Sequence, residues 1–355
     1  MPPSETTSTW RRLQSHRLFW PLVTFALLLA ANAIFNPGFF ALEIRSGHLY
    51  GNLIDVLNRA SPLVLIALGM TLVIATRGID ISVGATVAIA GAVAALMIGG
   101  KLEIQNGVQT YVSLFPMPLA LAAALVIALL CGLWNGVLVS LVGMQPIIAT
   151  LILMVAGRGI AQLITAGQII TVYYAPFFVI GNGFLLGLPF ALYIAAIVFV
   201  LVMLAMKRTA LGLFISSIGV NPAAARLVGI RERLILVFVY GFCGLCAGIA
   251  GLIVASNVKS ADGNNAGLLM ELDAILAVTL GGTQLTGGRF SLAGSVIGAL
   301  IIQTLTSTIY SIGVPPEINL VVKAAVVIVI MLLQSADFRR LVAGLVFRPA
   351  PGAVR

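Results

Sequence analysis

Long apolar runs separated by short polar breaks dominate this chain. Continuous runs predict spanning helices over about Phe19–Asn36, Ala60–Thr76, Ile81–Gly99 and Pro118–Val142. Further ones run from Pro146 to Ala166, up to Lys207, and over Leu234–Ser256, Leu292–Ile312 and Ile318–Gln334. Each approaches the ~18–20 residues that cross a bilayer core. One stretch breaks the pattern: Leu272–Gly282 is only eleven residues, followed by the polar, glycine-rich GGTQLTGGRF. A short helix, a break and a long helix is the pattern of a discontinuous segment, allowed where protein or water covers the freed backbone. The pattern predicts an all-α integral membrane protein of about ten transmembrane segments, one of them short, with both termini cytoplasmic.

The polar breaks divide the chain into a tail over 1–18, a transmembrane body over 19–335 and a second tail over 336–355. Gly38–Arg59 carries Glu43, Arg45, His48, Asp55 and Arg59 and is expected as an external loop, as are 101–116, 167–187 and KSADGNNAG. In the tight link TRGIDISVG, Arg77 and Asp80 are expected to pair, with Asp80 capping the next helix. Residues 207–233 form the longest central stretch that water could claim, and they contain a helix with its own punctuation. Asn221 suits the N-cap and Pro222 the first helical position; Ala223, Ala224 and Ala225 favour helix, and Gly229 a left-handed stop. A short helix of small residues between spans is shaped to fit a groove in another protein.

Composition agrees: 60% hydrophobic and 9% charged residues, with mean hydropathy +1.12, cannot cover a water-facing surface. The net charge of +9 does not point to nucleic acid, because in this topology 14 of 20 Lys and Arg fall on one side. That is the positive-inside bias of a protein whose surroundings are membrane lipid. Arg11, Arg12 and Arg17 read as a basic tail before the first span rather than a cleaved signal. Cys131, Cys243 and Cys246 all lie in apolar runs, and His16 and His48 are distant, so no metal site is expected. Glycines at 132 and 136, and at 241, 244, 248 and 251, predict close helix packing.

The chain carries no G-x-x-x-x-G-K-[ST], H-E-x-x-H or G-x-S-x-G. It is expected to be no enzyme and to hold no cofactor, so any uphill transport needs an ion gradient or another chain. Ion coupling favours carboxylates deep in the membrane, whereas Glu271 and Asp273 are expected near the outer face.

GIDISVGA, NPAAARLVGI and ELDAILAVTLGGTQLTGGRF together resemble the permease subunits of ribose-type sugar ABC importers, over roughly residues 20–335. QPIIATLILMVAGRGIAQLITAGQI, ADGNNAGLLMELDAILAV and PPEINLVVKAAVV are most similar to permeases of galactofuranose importers. The resemblance implies a bacterial inner-membrane permease moving a monosaccharide by alternating access. It implies three partners: an ATPase subunit holding ATP and Mg, a periplasmic sugar-binding protein, and a second permease, with a paralogue favoured over a second copy. The coupling helix would comprise Asn221, Pro222, Ala223, Ala224, Ala225, Arg226, Leu227, Gly229 and Ile230. Asn135, Arg158, Gln162, Asn264, Asn265, Glu271, Asp273 and Lys323 are expected to include groups on the sugar path, although each can equally tie helices together. The competing reading is an ion-coupled transporter or channel for a small polar solute. A membrane enzyme would need an acid–base cluster that this sequence does not offer.

Overall fold

The computed structural model describes residues 18–36, 38–45, 47–105, 108–313, 315–334 and 338. The two expected tails lie outside these apart from residues 18 and 338. The chain is a helical, multi-pass membrane protein. Helix α1 (Phe19–Phe35) leads through a hairpin, β1 (Glu43–Arg45) and β2 (His48–Tyr50), into α2 (Asn52–Ala75). After the link at 76–82 come α3 (Val83–Ile98), the hairpin β3 (Lys101–Gln105) and β4 (Val108–Val112), and α4 (Met117–Val137), which ends in a π-helical turn over Leu138–Val142. Helix α5 (Pro146–Ile164) starts on its proline, where no N–H is required. Strand β5 (Ile169–Thr171), the short α6 (Val179–Asn182) and the hairpin of β6 (Phe184–Leu185) and β7 (Leu188–Pro189) lead to α7 (Phe190–Arg208).

Helices α8 (Leu211–Val220) and α9 (Pro222–Leu227) precede the long α10 (Glu232–Val258). Strand β8 (Ser260–Asp262) pairs antiparallel with β5, and then follow α11 (Met270–Leu280), α12 (Leu292–Ser311) and α13 (Pro316–Gln334). Among the described residues six helices, α2, α4 with its π-turn, α5, α7, α10 and α12, are long and apolar enough to cross a membrane. Shorter apolar helices cover Phe19–Phe35, Val83–Ile98, Leu211–Val220 and Leu320–Leu332.

Helix α2 is the axis of the core. Every residue from Ala60 to Ala75 is buried, as befits a helix apolar all round. Helix α10 packs across α2, α3 and α4, and small residues set how closely it approaches. A side chain at Gly132 would strike the backbone of Tyr240, and one at Gly248 would lie 2.5 Å from Ala128 Cβ. Cys243 and Cys246 are buried free thiols, while Cys131 is only half-buried.

The strands gather at one end of the molecule, the hairpin end. There Leu49 N–H donates to Gly187 O at 2.9 Å, Val172 N–H to Lys259 O at 2.9 Å, and Tyr111 stacks on Tyr173. Helices α8 and α9 lie at the opposite end.

The structure corrects four expectations. Helix α2 begins at Asn52, so Asp55 and Arg59 stand on its first turns rather than on a loop. The stretch 207–233 holds two helices, and α8 is apolar with Gly212, Ile215, Ile218 and Gly219 buried. Arg77 and Asp80 do not pair: Arg77 takes a left-handed backbone (φ 65°) that sends its side chain to α8. Asp80 instead accepts from Ser82 N at 3.0 Å and Ser82 Oγ at 2.6 Å, ahead of α3 rather than at its N-cap position.

Candidate functional site

The segment 221–230 is built as its residues dictate. Asn221 Oδ1 accepts from Ala224 N at 3.1 Å, Pro222 opens α9, and Gly229 (φ 86°) closes it. Gly229 N–H donates to Arg226 O and Ile230 N–H to Ala225 O, both at 3.0 Å, the paired bonds of a Schellman stop. Ala225 is buried against the body, while Ala223, Ala224, Leu227 and Val228 face outward. Leu227 is 89% and Val228 76% exposed, an apolar tip that none of the described residues covers.

This tip is wired to the helices behind it. Arg77 Nε donates to Gly219 O at 2.6 Å and Nη2 to Val220 O at 2.5 Å, gripping the last turn of α8 next to Asn221. Gly288 N–H donates to Ala75 O at 2.8 Å, bringing the loop between α11 and α12 to the same point. One junction therefore joins α2, α8 and the α11–α12 loop. Asn135 belongs to the neighbouring link: its buried amide donates to Ser82 Oγ at 2.8 Å and Asp80 Oδ1 at 3.3 Å.

The residues beyond α10 form a second group. From β8 the chain turns back along α5, and Arg158 Nη1 holds it by donating to Ala266 O at 2.6 Å. Asn264 and Asn265 lie on this returning loop. Asp262 Oδ1 accepts from both backbone N–H groups, and its Oδ2 accepts from Asn265 Nδ2 at 2.7 Å. The Asn265 amide is the main cause of a carboxyl held below the usual aspartate range, with the two backbone bonds adding to it.

Glu271 sits deeper than its sequence position suggests. It is buried over Gly84, where any side chain would strike its carboxylate, and it interacts electrostatically with Arg158. Helix α11 thus starts inside the protein, and its eleven residues rise about 16 Å, half a bilayer core. Asp273 Oδ2 meets Lys323 Nζ at 2.6 Å, with 26% and 12% of the two side chains exposed, tying α13 to α11. Gln162 stands half-buried one turn from Arg158. Arg158 on α5, Glu271 on α11 and Asn264 and Asn265 on the returning loop are therefore neighbours, Asp273 and Lys323 make a separate pair, and Asn135 lies apart.

A cleft of about 510 Å³, lined by none of the expected site residues, opens at the hairpin end. Asn52, Asp55 and Arg59 come from α2, Asn257 from α10, and Gln303 and Tyr310 from α12. Among the described residues the side chains of Asp55, Arg59 and Gln303 have no ion pair or hydrogen bond. The volume lies within the ~300–1,000 Å³ of small-molecule sites, and such a mixture of donors, acceptors and an aromatic ring suits a polyol. Its members come from separated helices, so no spacing in the sequence marks it.

Residues 52–331 match the family described as branched-chain amino acid transport system / permease component. The chain is 48% identical over 351 residues to the galactofuranose transporter permease protein YtfT of Escherichia coli, covering 97% of this chain and 98% of that one. It is 41% identical to the fructose import permease protein FruF of Bifidobacterium longum (94% and 92% covered). It is 36% identical to the ribose import permease protein RbsC of Haemophilus influenzae (88% and 91% covered). No solved structure matches the chain.

Proposed function

The chain belongs to the permease-component family of branched-chain amino acid transport systems, and from that premise we propose that it is the membrane permease of an ATP-driven sugar importer. The sugar-import permeases among its relatives favour a monosaccharide over an amino acid, and the 48% relative favours galactofuranose or a sugar of similar form. The proposed body, residues 19–335, crosses the bacterial inner membrane about ten times, α11 being the discontinuous segment. Both termini and 207–233 face the cytoplasm, and the hairpin end faces outward. A periplasmic sugar-binding protein docks there, and a second permease, paralogous rather than identical, completes the pore. ATP and Mg belong to the partner ATPase; this chain supplies no cofactor site and no catalytic group.

The observation that carries this reading is the apolar tip of α9. A short helix capped at both ends, presenting Ala223, Ala224, Leu227 and Val228, is a rigid peg of low relief. The peg seats in the ATPase, and its displacement passes through Asn221 and Val220 to Arg77, and through Ala75 and Gly288 to α11 and α12. Those helices border the outer cleft through Met270 and Gln303, so closing of the ATPase reshapes the place where sugar enters. The pairing of Asp273 with Lys323 fits this reading better than ion coupling, which favours uncommitted carboxylates.

The test is co-purification from cells expressing the native neighbours. Ala224→Glu alters an exposed position, so it should leave the permease folded and membrane-inserted while abolishing recovery of the ATPase. Ala225→Glu, at a buried position, should instead lose the permease itself. Unchanged ATPase recovery with Ala224→Glu would overturn the assignment of α9.

A further inference from the structure

A second cavity, of about 690 Å³, lies between the π-helical turn of α4 and the link from α9 to α10. We propose that it binds the phosphate headgroup of an anionic phospholipid of the inner leaflet. Arginines 226, 231 and 233 line it. Arg226 is neutralised by Glu232 at 2.6 Å, but Arg231 and Arg233 are exposed and have no ion pair among the described residues. Ser140 Oγ, in the same wall, is buried without a hydrogen-bond partner. Two uncompensated cations and an unused hydroxyl suit a phosphodiester. A free anion would not explain the rest of the lining, where Leu141 and Leu234 are largely exposed and continue into the exposed Trp134 and Phe238 on the flanks of α4 and α10. A ligand with a charged head and an apolar tail satisfies both parts, and cationic pockets at the cytoplasmic boundary hold such lipids.

The ATPase is the less suitable occupant, since Leu227 and Val228, the tip of α9, do not line this cavity. Ile230, which completes the stop of α9, does line it. A lipid seated here would brace the foot of the coupling helix against α4. The inference rests on the orientation proposed above, with α9 facing the cytoplasm.

The experiment uses the intact permease in nanodiscs containing phosphatidylcholine with graded phosphatidylglycerol, with retained lipid read by native mass spectrometry. Wild-type protein should retain phosphatidylglycerol selectively. Arg231→Gln/Arg233→Gln should weaken that retention about a hundredfold, the loss of two charged hydrogen bonds to the phosphodiester at the low end of their range. Lys207→Gln/Arg208→Gln, with the same change in net charge, should not. Equal loss in both variants would show diffuse charge attraction and overturn the site. Displacement of the lipid by millimolar inorganic phosphate would make it a free-anion site, and loss of ATPase recovery with lipid retention intact would make it a protein contact. Either result overturns the proposal. The wild-type comparison of the two lipids needs no variant and excludes misfolding as an explanation. Failure of the orientation would show separately, as protease access to 207–233 from the outer face.

Discussion

Arg77→Ala should disconnect the coupling helix from the body without detaching the ATPase. The side chain makes two charged hydrogen bonds to the carbonyls of Gly219 and Val220, at 2.6 and 2.5 Å. Bonds to charged groups contribute about 1.5–3 kcal/mol each, and the Nη2 bond is exposed and belongs at or below the low end. A net of roughly 3 kcal/mol corresponds to about a hundredfold shift between held and released α8 ends. Val220 immediately precedes the cap of α9, so a released end lets the peg move without moving α2 and α3. The apolar tip is untouched, so the complex should assemble. In proteoliposomes, ATP hydrolysis should persist while sugar uptake falls at least tenfold. Arg77→Lys, which keeps the charge but not the forked geometry, should lie between. Wild-type uptake by an assembled Arg77→Ala complex would refute the strut.

Three other perturbations probe the rest of the molecule. Asp273→Asn or Lys323→Met alone leaves a largely buried charge unpaired and should lower the thermal midpoint in detergent, whereas the double variant should recover most of the loss. Gln303→Ala removes an uncommitted amide from the outer cleft and should reduce sugar uptake several-fold with ATPase recovery unchanged. The bonds at Asp262 favour its charged form, so their stabilisation of the returning loop is whole above the ordinary aspartate value near 3.9 and fades only as pH falls through the lower folded value. Proteolysis of that loop should accordingly be flat from pH 7 to about 5 and accelerate only below about pH 4.

Much of this arrangement is legible in the chain because apolar length and helix punctuation are local. Span ends expected at Gly99, Val142 and Ser256 fall within a few residues of the helix ends, and the Asn221–Gly229 segment forms the predicted cap and stop. Helix α8 is not legible because its ten residues beside Lys207 and Arg208 are too few for a span and merge with the polar stretch 207–233. The Arg77–Asp80 pairing failed because spacing assumes a regular backbone, and the left-handed turn at Arg77 reverses the side chain's direction. Glu271 is expected near the surface because its helix follows an outer strand, whereas the chain first descends along α5, held by Arg158. The outer cleft has no signature spacing at all, since α2, α10 and α12 meet only through tertiary packing.

If the proposed function holds, this permease moves sugar only when an ATPase drives α9. The most direct measurement is uptake of radiolabelled sugar into proteoliposomes carrying the permease pair, with binding protein outside and ATP inside, with and without the ATPase. Concentrative uptake should require both the ATPase and ATP, and Ala224→Glu should abolish it. Uptake by the permease alone, following an imposed proton or sodium gradient, would contradict the proposed function.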